Sequence, residues 1–265
     1  MPIHPARLER TPEGVLYSGA FGDVYHSRDN ALGQAHAVFI AGNGLPQRWQ
    51  GRERFTIVET GFGAGLNFLA TWAAWREDAC RSARLHFVSC ELHPFCREDL
   101  ARIHAAWPEL ATFAAELRAQ WPVLAPGLHR LNLDAGRVTL TLFLGDAADG
   151  LARIDARADA LYLDGFTPAK NPALWSERVF HLLAGLAAPD ATLATWSVAG
   201  QVREGLRRAG FTTEKAPGFG TKWQMLRGRL AREARPLAVP EAATSGRHAL
   251  VLGAEYSELD VLNGN

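Results

Sequence analysis

The sequence predicts an α/β fold in which a mostly parallel sheet of about seven strands, the last one antiparallel, is covered by helices on both faces. From residue 55 onward, short apolar runs rich in β-branched residues alternate with longer helical stretches, as in βαβ units. A hydrophobic share of 48% and a charged share of 21% in 265 residues allow one sizeable core with additions. We divide the chain into an N-terminal β-rich appendage at 1–50, an α/β domain at 51–230, and a linker with a C-terminal tail at 231–265.

The N-terminal appendage is predicted from its turns. Glycines divide residues 1–50 into short β-prone pieces at 15–17, 24–26 and 37–40, which indicates a small β-hairpin unit. Residues 42–49 are expected to form a turn and a short helix anchored by Trp49. Because this segment precedes the first strand of the α/β domain, it could lie over a ligand site.

The first unit of the α/β domain joins a buried strand to a helix through closely spaced glycines. Residues 55–58 form the strand, Glu59 ends it, and an apolar helix spans 66–75. Gly61, Gly63 and Gly65 lie between them, where glycine permits a sharp turn and close approach of a ligand to the helix start. The Gly-x-Gly-x-Gly spacing differs from the Gly-x-Gly-x-x-Gly of dinucleotide enzymes, so S-adenosylmethionine (SAM), which has no pyrophosphate, is the leading ligand. The alternative is a turn that uses glycine for packing alone.

Two further strands end in acids that suit a nucleoside. The strand at 85–91 ends in Glu91, which can accept hydrogen bonds from ribose hydroxyls, and a helix follows near 94–106. For Glu91 the alternative is a solvated carboxylate at a strand end. Residues 107–136 are rich in proline, so we expect an insertion with one helical piece at 109–120. The strand at 137–144 leads to Asp146, which could bind the adenine amino group, and to a helix at 147–154.

The strand at 158–163 leads into the most unusual loop of the chain, residues 164–172. Asp164, Phe166 and Lys170 give this loop an acid, an aromatic ring and a base, while Gly165 permits close approach. Ligands of open α/β sheets bind beyond the strand ends, so we expect this loop to face the ligand. The remaining elements are expected at 173–186 (helix), 191–197 (strand), 199–209 (helix), and 211–215 and 223–226 (a hairpin around 218–220).

Charge and cysteine content narrow the functional classes. The 28 basic residues balance 28 acidic ones, which argues against a strong nonspecific grip on nucleic acid. Residues 200–235 nevertheless carry nine basic and three acidic side chains, which could dock a polyanion or form a solvated helix face. The three cysteines have neither disulfide nor metal spacing, so no metal site is predicted. With no apolar run suited to secretion or to a membrane span, we expect a cytoplasmic protein without a membrane partner.

Several longer motifs occur in order across most of residues 10–230. They are Phe-Gly-Asp-Val-Tyr-His at 21–26, Gly-Asn-Gly-Leu-Pro-Gln-Arg-Trp at 42–49, Glu-Thr-Gly-Phe-Gly-Ala-Gly-Leu-Asn-Phe at 59–68, Leu-Asp-Gly-Phe-Thr-Pro-Ala-Lys-Asn-Pro-Ala-Leu-Trp at 163–175, and Gly-Phe-Thr-Thr-Glu-Lys-Ala-Pro-Gly-Phe-Gly-Thr-Lys at 210–222. With them the sequence resembles the methyltransferase domains of the MnmC family. The resemblance implies a class I SAM-dependent methyltransferase (Rossmann-like) fold at 51–230. It also implies an enzyme that converts 5-aminomethyl-2-thiouridine at the tRNA wobble position to 5-methylaminomethyl-2-thiouridine.

The implied reaction is an in-line displacement in which a neutral amine attacks the methyl carbon and the protein positions and desolvates the reactants. Asp164 is the candidate catalytic residue, because it could accept a hydrogen bond or a proton from the amine; the alternative is a carboxylate that only caps its loop. Glu59 is expected to support the glycine loop or the SAM ammonium group. The expected SAM-binding residues are Glu59, Gly61, Gly63, Gly65, Glu91, Asp146 and Asp164.

The expected macromolecular partner is the anticodon stem-loop of tRNA. Tyr25 and Phe166 could stack on a flipped-out uracil, because chemistry on a base generally requires removing it from its stack. The candidates for phosphate contacts are Lys170, Arg203, Arg207 and Lys222. The alternatives are ordinary packing for the aromatic side chains and simple solvation for the basic ones.

The C-terminal tail bears on the cofactor. Residues 248–254 resemble the opening strand of the FAD-dependent oxidoreductase domain of many relatives, but the further glycines of a dinucleotide turn are missing. FAD binding is therefore not expected, and the oxidoreductase would be separate or missing. Three alternatives stay open: a methyltransferase acting on a small-molecule amine, an NAD- or FAD-dependent oxidoreductase, and a noncatalytic scaffold that retains SAM binding. The basic segment argues against the first and the glycine spacing against the second.

Overall fold

A computed structural model describes residues 3–26, 30–220 and 223–231. The N-terminal residues form a three-stranded antiparallel sheet, which confirms the predicted β-rich appendage. A four-residue helix follows and continues into a π-helix at Ala35–Ile40 and a 3₁₀ turn at Ala41–Asn43. The bounds of these elements are β1 (Glu9–Arg10), β2 (Leu16–Ser18), β3 (Asp23–Val24) and α1 (Ala31–Gln34).

A larger mixed sheet organises the rest of the described chain. Its strands are β4 (Arg54–Glu59), β5 (Arg84–Glu91), β6 (Gly127–Leu133), β7 (Val138–Leu144), β8 (Ala158–Tyr162), β9 (Ala187–Thr195), β10 (Phe211–Pro217) and β11 (Gln224–Leu230). Their spatial order is β10-β11-β9-β8-β4-β5-β7-β6. The five strands from β9 to β7 in that order run parallel, whereas β6, β10 and β11 pair antiparallel with their neighbours. The predicted parallel sheet with a closing antiparallel hairpin is therefore confirmed.

Helices cover both faces of this sheet. They are α2 (Leu66–Glu77), α3 (Arg97–His104), α4 (Ala111–Ala119), α5 (Ala147–Leu151), α6 (Glu177–Leu186) and α7 (Gly200–Arg208), with short 3₁₀ turns at Pro108–Leu110 and Asp134–Gly136. No helix in the described part of the chain is both long enough and apolar enough to cross a membrane.

The buried side chains form two clusters, one on each face of the sheet. Consecutive residues of a strand point to opposite faces, so Ile57 belongs to one cluster and its neighbour Val58 to the other. The first cluster packs the strands against α2, α3, α4 and the π-helix, and the second packs them against α5, α6 and α7. Burial on both faces explains why the central strands are continuous apolar runs rather than alternating ones.

Two expectations about secondary structure were wrong. Residues 37–40 are not a strand; they lie in the π-helix, where Val38, Phe39 and Ile40 are buried. A short apolar run fits a strand or a buried helical turn equally well, and packing in the first cluster selects the helical form here. The expected insertion at 107–136 contains α4, close to the predicted helical piece. It also contains the strand β6, which pairs with β7, so the large sheet has eight strands among the described residues instead of about seven.

Candidate active site

A cavity opens at the carboxyl edge of β4, β5, β7 and β8, lined by the loops that follow these strands and by the segment 21–26. In the sheet, β5 and β7 lie on one side of β4, and the later strands β8 and β9 lie on its other side. The strand order therefore reverses next to β4. Open α/β sheets bind their ligands at such points. The space measures about 1360 Å³ including its open mouth.

The glycine loop leaves no space for side chains at two of its three predicted positions. A Cβ atom on Gly61 would lie 3.0 Å from the carbonyl oxygen of Asp164, and one on Gly65 would lie 2.8 Å from the ring of Phe62. Gly63 and Gly65 have φ angles of 55° and 78°, and Gly65 is the residue that precedes α2. Glycine is therefore required here by backbone conformation and by close packing.

Asn67, in the first turn of α2, joins the two acids at the end of β4 and after β8. Its side-chain nitrogen donates to Glu59 Oε1 at 2.9 Å and to Asp164 Oδ2 at 2.7 Å. Ser89 donates to the other oxygen of Glu59, and Trp196 Nε1 and the backbone N–H of Gly165 donate to Asp164 Oδ1. Asn67 was missed from the sequence, although a polar residue at the start of an otherwise apolar helix was the available signal.

The two acids differ in environment. Asp164 lines the cavity, whereas Glu59 is buried behind Asn67 with 1% of its surface exposed. Burial, and then the nearby carboxylate of Asp164, raise the pKa of Glu59 to about 8. Of the two acids, Asp164 is the one whose side chain faces the cavity.

Glu91 and Asp146 line the side of the cavity formed by β5 and β7. Glu91 accepts from the backbone N–H of Gly63 at 2.6 Å and of His93 at 2.8 Å, so it also fixes the glycine loop. Burial raises the pKa of Glu91 above its ordinary value. Asp146 accepts from the N–H of Asp149 at 3.1 Å and so caps α5. Each carboxylate keeps further lone pairs for a ligand.

Three aromatic rings meet at the cavity wall. The ring of Phe166 stacks on that of Phe21, with centroids 4.6 Å apart, and its edge meets Tyr25 at 4.9 Å. Burial, and then the Glu91 carboxylate, raise the pKa of Tyr25, so its hydroxyl stays protonated. Phe21 was not among the predicted site residues, because nothing in the sequence relates it to the loop after β8.

A cluster of polar contacts holds the loop after β8 against β3. Asp23 accepts from the N–H of Thr167 at 2.8 Å and from its hydroxyl at 2.7 Å. The ammonium group of Lys170 donates to the carbonyl of Gly22 and lies 3.4 Å from Asp23 Oδ1. These contacts fix the relative position of Phe166 and Tyr25, which come from different ends of the chain.

Apart from Lys170, the predicted site residues fall into four groups. Tyr25, Gly61, Gly63, Glu91, Asp146, Asp164 and Phe166 line the cavity, and Glu59 and Gly65 lie directly behind its wall. Arg203 and Arg207 are exposed on α7 and do not line the cavity, and Arg207 forms an ion pair with Glu204. Lys222 lies outside the described residues. Within the described ranges, no group of three His, Cys, Asp or Glu side chains is arranged to hold a metal ion.

Comparisons with known proteins agree with this geometry. A family model described as S-adenosyl-L-methionine-dependent methyltransferase matches residues 108–231. The chain is 72% identical over 255 residues to the tRNA 5-methylaminomethyl-2-thiouridine biosynthesis bifunctional protein MnmC of Azoarcus sp., and 62% identical over 254 residues to that of Aromatoleum aromaticum. Each alignment covers 96% of the chain but 40% of the relative, so the chain spans about two fifths of the length of these curated relatives.

One solved structure supports the fold assignment. The crystal structure of MnmC2 from Aquifex aeolicus superposes with a TM-score of 0.66 and covers 88% of this chain and 72% of that one. At 22% sequence identity, this likeness concerns the fold alone.

Proposed function

We propose that this chain, which belongs to the MnmC family of SAM-dependent methyltransferase domains, methylates the 5-aminomethyl nitrogen of 5-aminomethyl-2-thiouridine at the wobble position of tRNA. The observation that carries the proposal is the juxtaposition, in one cavity, of a glycine loop, a row of acids and an aromatic wall. SAM when bound supplies a methyl group on a positively charged sulfur. The names of the relatives supply the class of substrate, a tRNA 2-thiouridine.

The residues present fit SAM. The loop of Gly61 and Gly63 offers backbone without side chains to the methionine part, Glu91 would bind the ribose hydroxyls, and Asp146 would bind the adenine amino group. Four acids line the cavity, namely Asp23, Glu91, Asp146 and Asp164, while no lysine or arginine of the described chain lines it. This charge favours a cationic ligand.

We propose that Asp164 accepts the proton of the substrate amine. An alkylammonium has no lone pair, so the amine must lose a proton before or during attack, and the Asp164 carboxylate is the acceptor that faces the cavity. Asn67, Trp196 and Gly165 hold this carboxylate in one orientation. The Glu59 carboxyl, whose pKa is raised by burial and by the Asp164 carboxylate, is bonded to Asn67 and does not line the cavity, so Asp164 is the acid placed to accept the proton.

We propose that the target base stacks on the aromatic rings of the cavity wall, and that the tRNA backbone contacts the outer surface. Phe166, Tyr25 and Phe21 present ring faces and edges on which an extruded uracil can stack. Arg203 is exposed on α7 with no ion pair among the described residues, so it is the stronger candidate for a phosphate contact than Arg207. An oxidoreductase on another chain, or on a part of the protein beyond this sequence, would supply the aminomethyl group.

The test is transfer of labelled methyl from SAM to tRNA isolated from cells that accumulate 5-aminomethyl-2-thiouridine, followed by nucleoside analysis. Label in 5-methylaminomethyl-2-thiouridine is the expected result, with tRNA lacking the aminomethyl group as the control. If SAM binds but the tRNA remains unlabelled while a small amine is methylated, the substrate assignment is wrong.

A further inference from the structure

Gln34, the last residue of α1, lines the cavity. Its side-chain oxygen is buried and has no hydrogen-bond partner among the described residues. A buried acceptor without a donor costs stability, so such atoms in a cavity wall are candidates for ligand contacts. No predicted site residue lies on α1.

Three of the acids that line the cavity already accept hydrogen bonds from protein donors on the described chain. Both oxygens of Glu91 accept backbone N–H groups, and Asp23 accepts twice from Thr167. Both oxygens of Asp164 also accept protein donors, one of them from Asn67. The oxygen of Gln34 differs from these because its donor is not supplied by the described protein.

The short helix that carries Gln34 is held in place from two sides. The side chain of Asn30 caps it by accepting from the N–H of Gly33 at 2.6 Å, and the backbone N–H of Gln34 donates to the carbonyl of Asn30. The ring of Phe219, from the β10–β11 hairpin, packs on Gly33 so closely that a Cβ atom there would lie 2.5 Å from it. The position of Gln34 is thus set by the fold before any ligand binds.

We propose that the side-chain oxygen of Gln34 accepts a hydrogen bond from an amine or ammonium N–H of a ligand in this cavity. The acidic lining, without lysine or arginine among the described residues, favours a basic nitrogen over a neutral or anionic group. This inference rests on the proposed function, which offers two such nitrogens: the α-ammonium group of SAM and the aminomethyl nitrogen of the tRNA.

The experiment compares Gln34→Leu with Gln34→Glu in the full chain. Leucine removes the acceptor at similar size, whereas glutamate retains acceptor oxygens and no donor when ionised. Titration calorimetry with SAM alone measures Kd, methyl transfer measures KM for tRNA carrying 5-aminomethyl-2-thiouridine, and thermal melting without ligand reports folding.

We expect Gln34→Leu to weaken one ligand by about tenfold, while Gln34→Glu retains or improves its binding. A higher Kd for SAM identifies the cofactor ammonium as the donor; an unchanged Kd with a higher KM for tRNA identifies the substrate amine. Because Gln34→Leu removes an unpartnered buried oxygen, the melting temperature without ligand should not fall.

The proposal is overturned if SAM binding and tRNA methylation are both unchanged in Gln34→Leu. It is also overturned if Gln34→Glu loses as much ligand affinity as Gln34→Leu while both variants melt like the unmodified chain. If the unmodified chain binds SAM but does not methylate tRNA, the proposed substrate fails. In that case the SAM titration alone decides the role of Gln34, and an unchanged Kd rejects it.

Discussion

The side-chain amide of Asn67 donates to both Glu59 and Asp164, so one residue connects acids from the ends of two adjacent strands. Burial and the nearby carboxylate of Asp164 both raise the pKa of Glu59, the more deeply buried of the two acids. Asp164 is the acid that reaches the cavity. The division of roles between the two acids follows from burial.

Replacement of Asp164 tests the assignment of the proton acceptor. Asp164→Asn keeps an oxygen that can accept from Trp196 and Gly165 but removes the charge. We expect kcat for tRNA methylation to fall by about 100-fold, with little change in Kd for SAM. Single-turnover methyl transfer and calorimetry measure the two quantities.

Asp149→Asn serves as the matched control, because Asp149 is an exposed acid of α5 that pairs with Arg178 and does not line the cavity. Full methylation by Asp164→Asn, with SAM bound normally, would show that Asp164 only holds its loop.

The raised pKa of Glu59 predicts how stability depends on pH. The carboxyl has its ordinary value of 4.5 when unfolded and about 8 when folded, so the folded state binds more protons between these values. The raised pKa of Glu59 therefore contributes fully to the free energy of unfolding below pH 4.5, and this contribution is lost as the pH rises through about 8.

Glu59→Gln should remove this dependence while keeping an oxygen for Asn67. We expect the melting temperature of the unmodified chain to fall more steeply than that of Glu59→Gln between about pH 5 and about pH 8. Parallel curves for the two proteins would mean that Glu59 is ionised in the folded state.

At the scale of elements, the start of α2 combines a positive φ angle with close packing. Gly65 has φ 78°, and Phe62, whose ring a Cβ atom would meet, stacks on Trp121 at 5.7 Å. Gly65→Ala should therefore lower the free energy of unfolding by about 1–2 kcal/mol. Urea denaturation measures this loss.

Gly185→Ala, in α6, is the comparison for this change. A Cβ atom there has no neighbour within 4 Å, and alanine favours the helix, so stability should stay level or rise by about 0.5–1 kcal/mol. Equal effects of the two substitutions would contradict the assigned strain at Gly65.

At the scale of the whole molecule, the lining of the cavity differs in charge from the exposed face of α7. Acids line the cavity, and arginines of α7 are exposed outside it, so a neutral chain can hold a cationic cofactor and still meet a polyanion. Salt dependence of binding separates these two contributions, because phosphate contacts release counterions and contacts inside the cavity do not.

Arg203→Ala should weaken tRNA binding similarly for all tRNA sequences and reduce the slope of log K against log salt by about one. Arg207→Ala should have a smaller effect, because Arg207 already lies 2.7 Å from Glu204. Filter binding at graded salt measures both slopes. A larger change in Arg207→Ala than in Arg203→Ala would place the tRNA on a different part of α7.

The strands and helices that were predicted well are those whose apolar pattern is long and bounded by glycine or by acids. The β4–α2 unit, β5, β7 and β8 were found within about two residues, because burial on both faces leaves a clear signal in local sequence. The π-helix and β6 were missed for the opposite reason. Each takes its conformation from a neighbour: the π-helix from the first cluster of buried residues, and β6 from the edge of β7.

The sequence by itself determined the α/β class, the glycine loop and the acids at strand ends, because these depend on backbone conformation and periodicity near each residue. Only the tertiary structure decided which acid is buried and which faces the cavity, and that Phe21 and Lys170 serve the contact between β3 and the loop after β8. It also decided that the side-chain oxygen of Gln34 lies at the cavity with no partner among the described residues. These properties depend on burial and on contacts between residues far apart in the chain. Neither can be read from local sequence, since both are fixed only when the sheet brings its strand ends together.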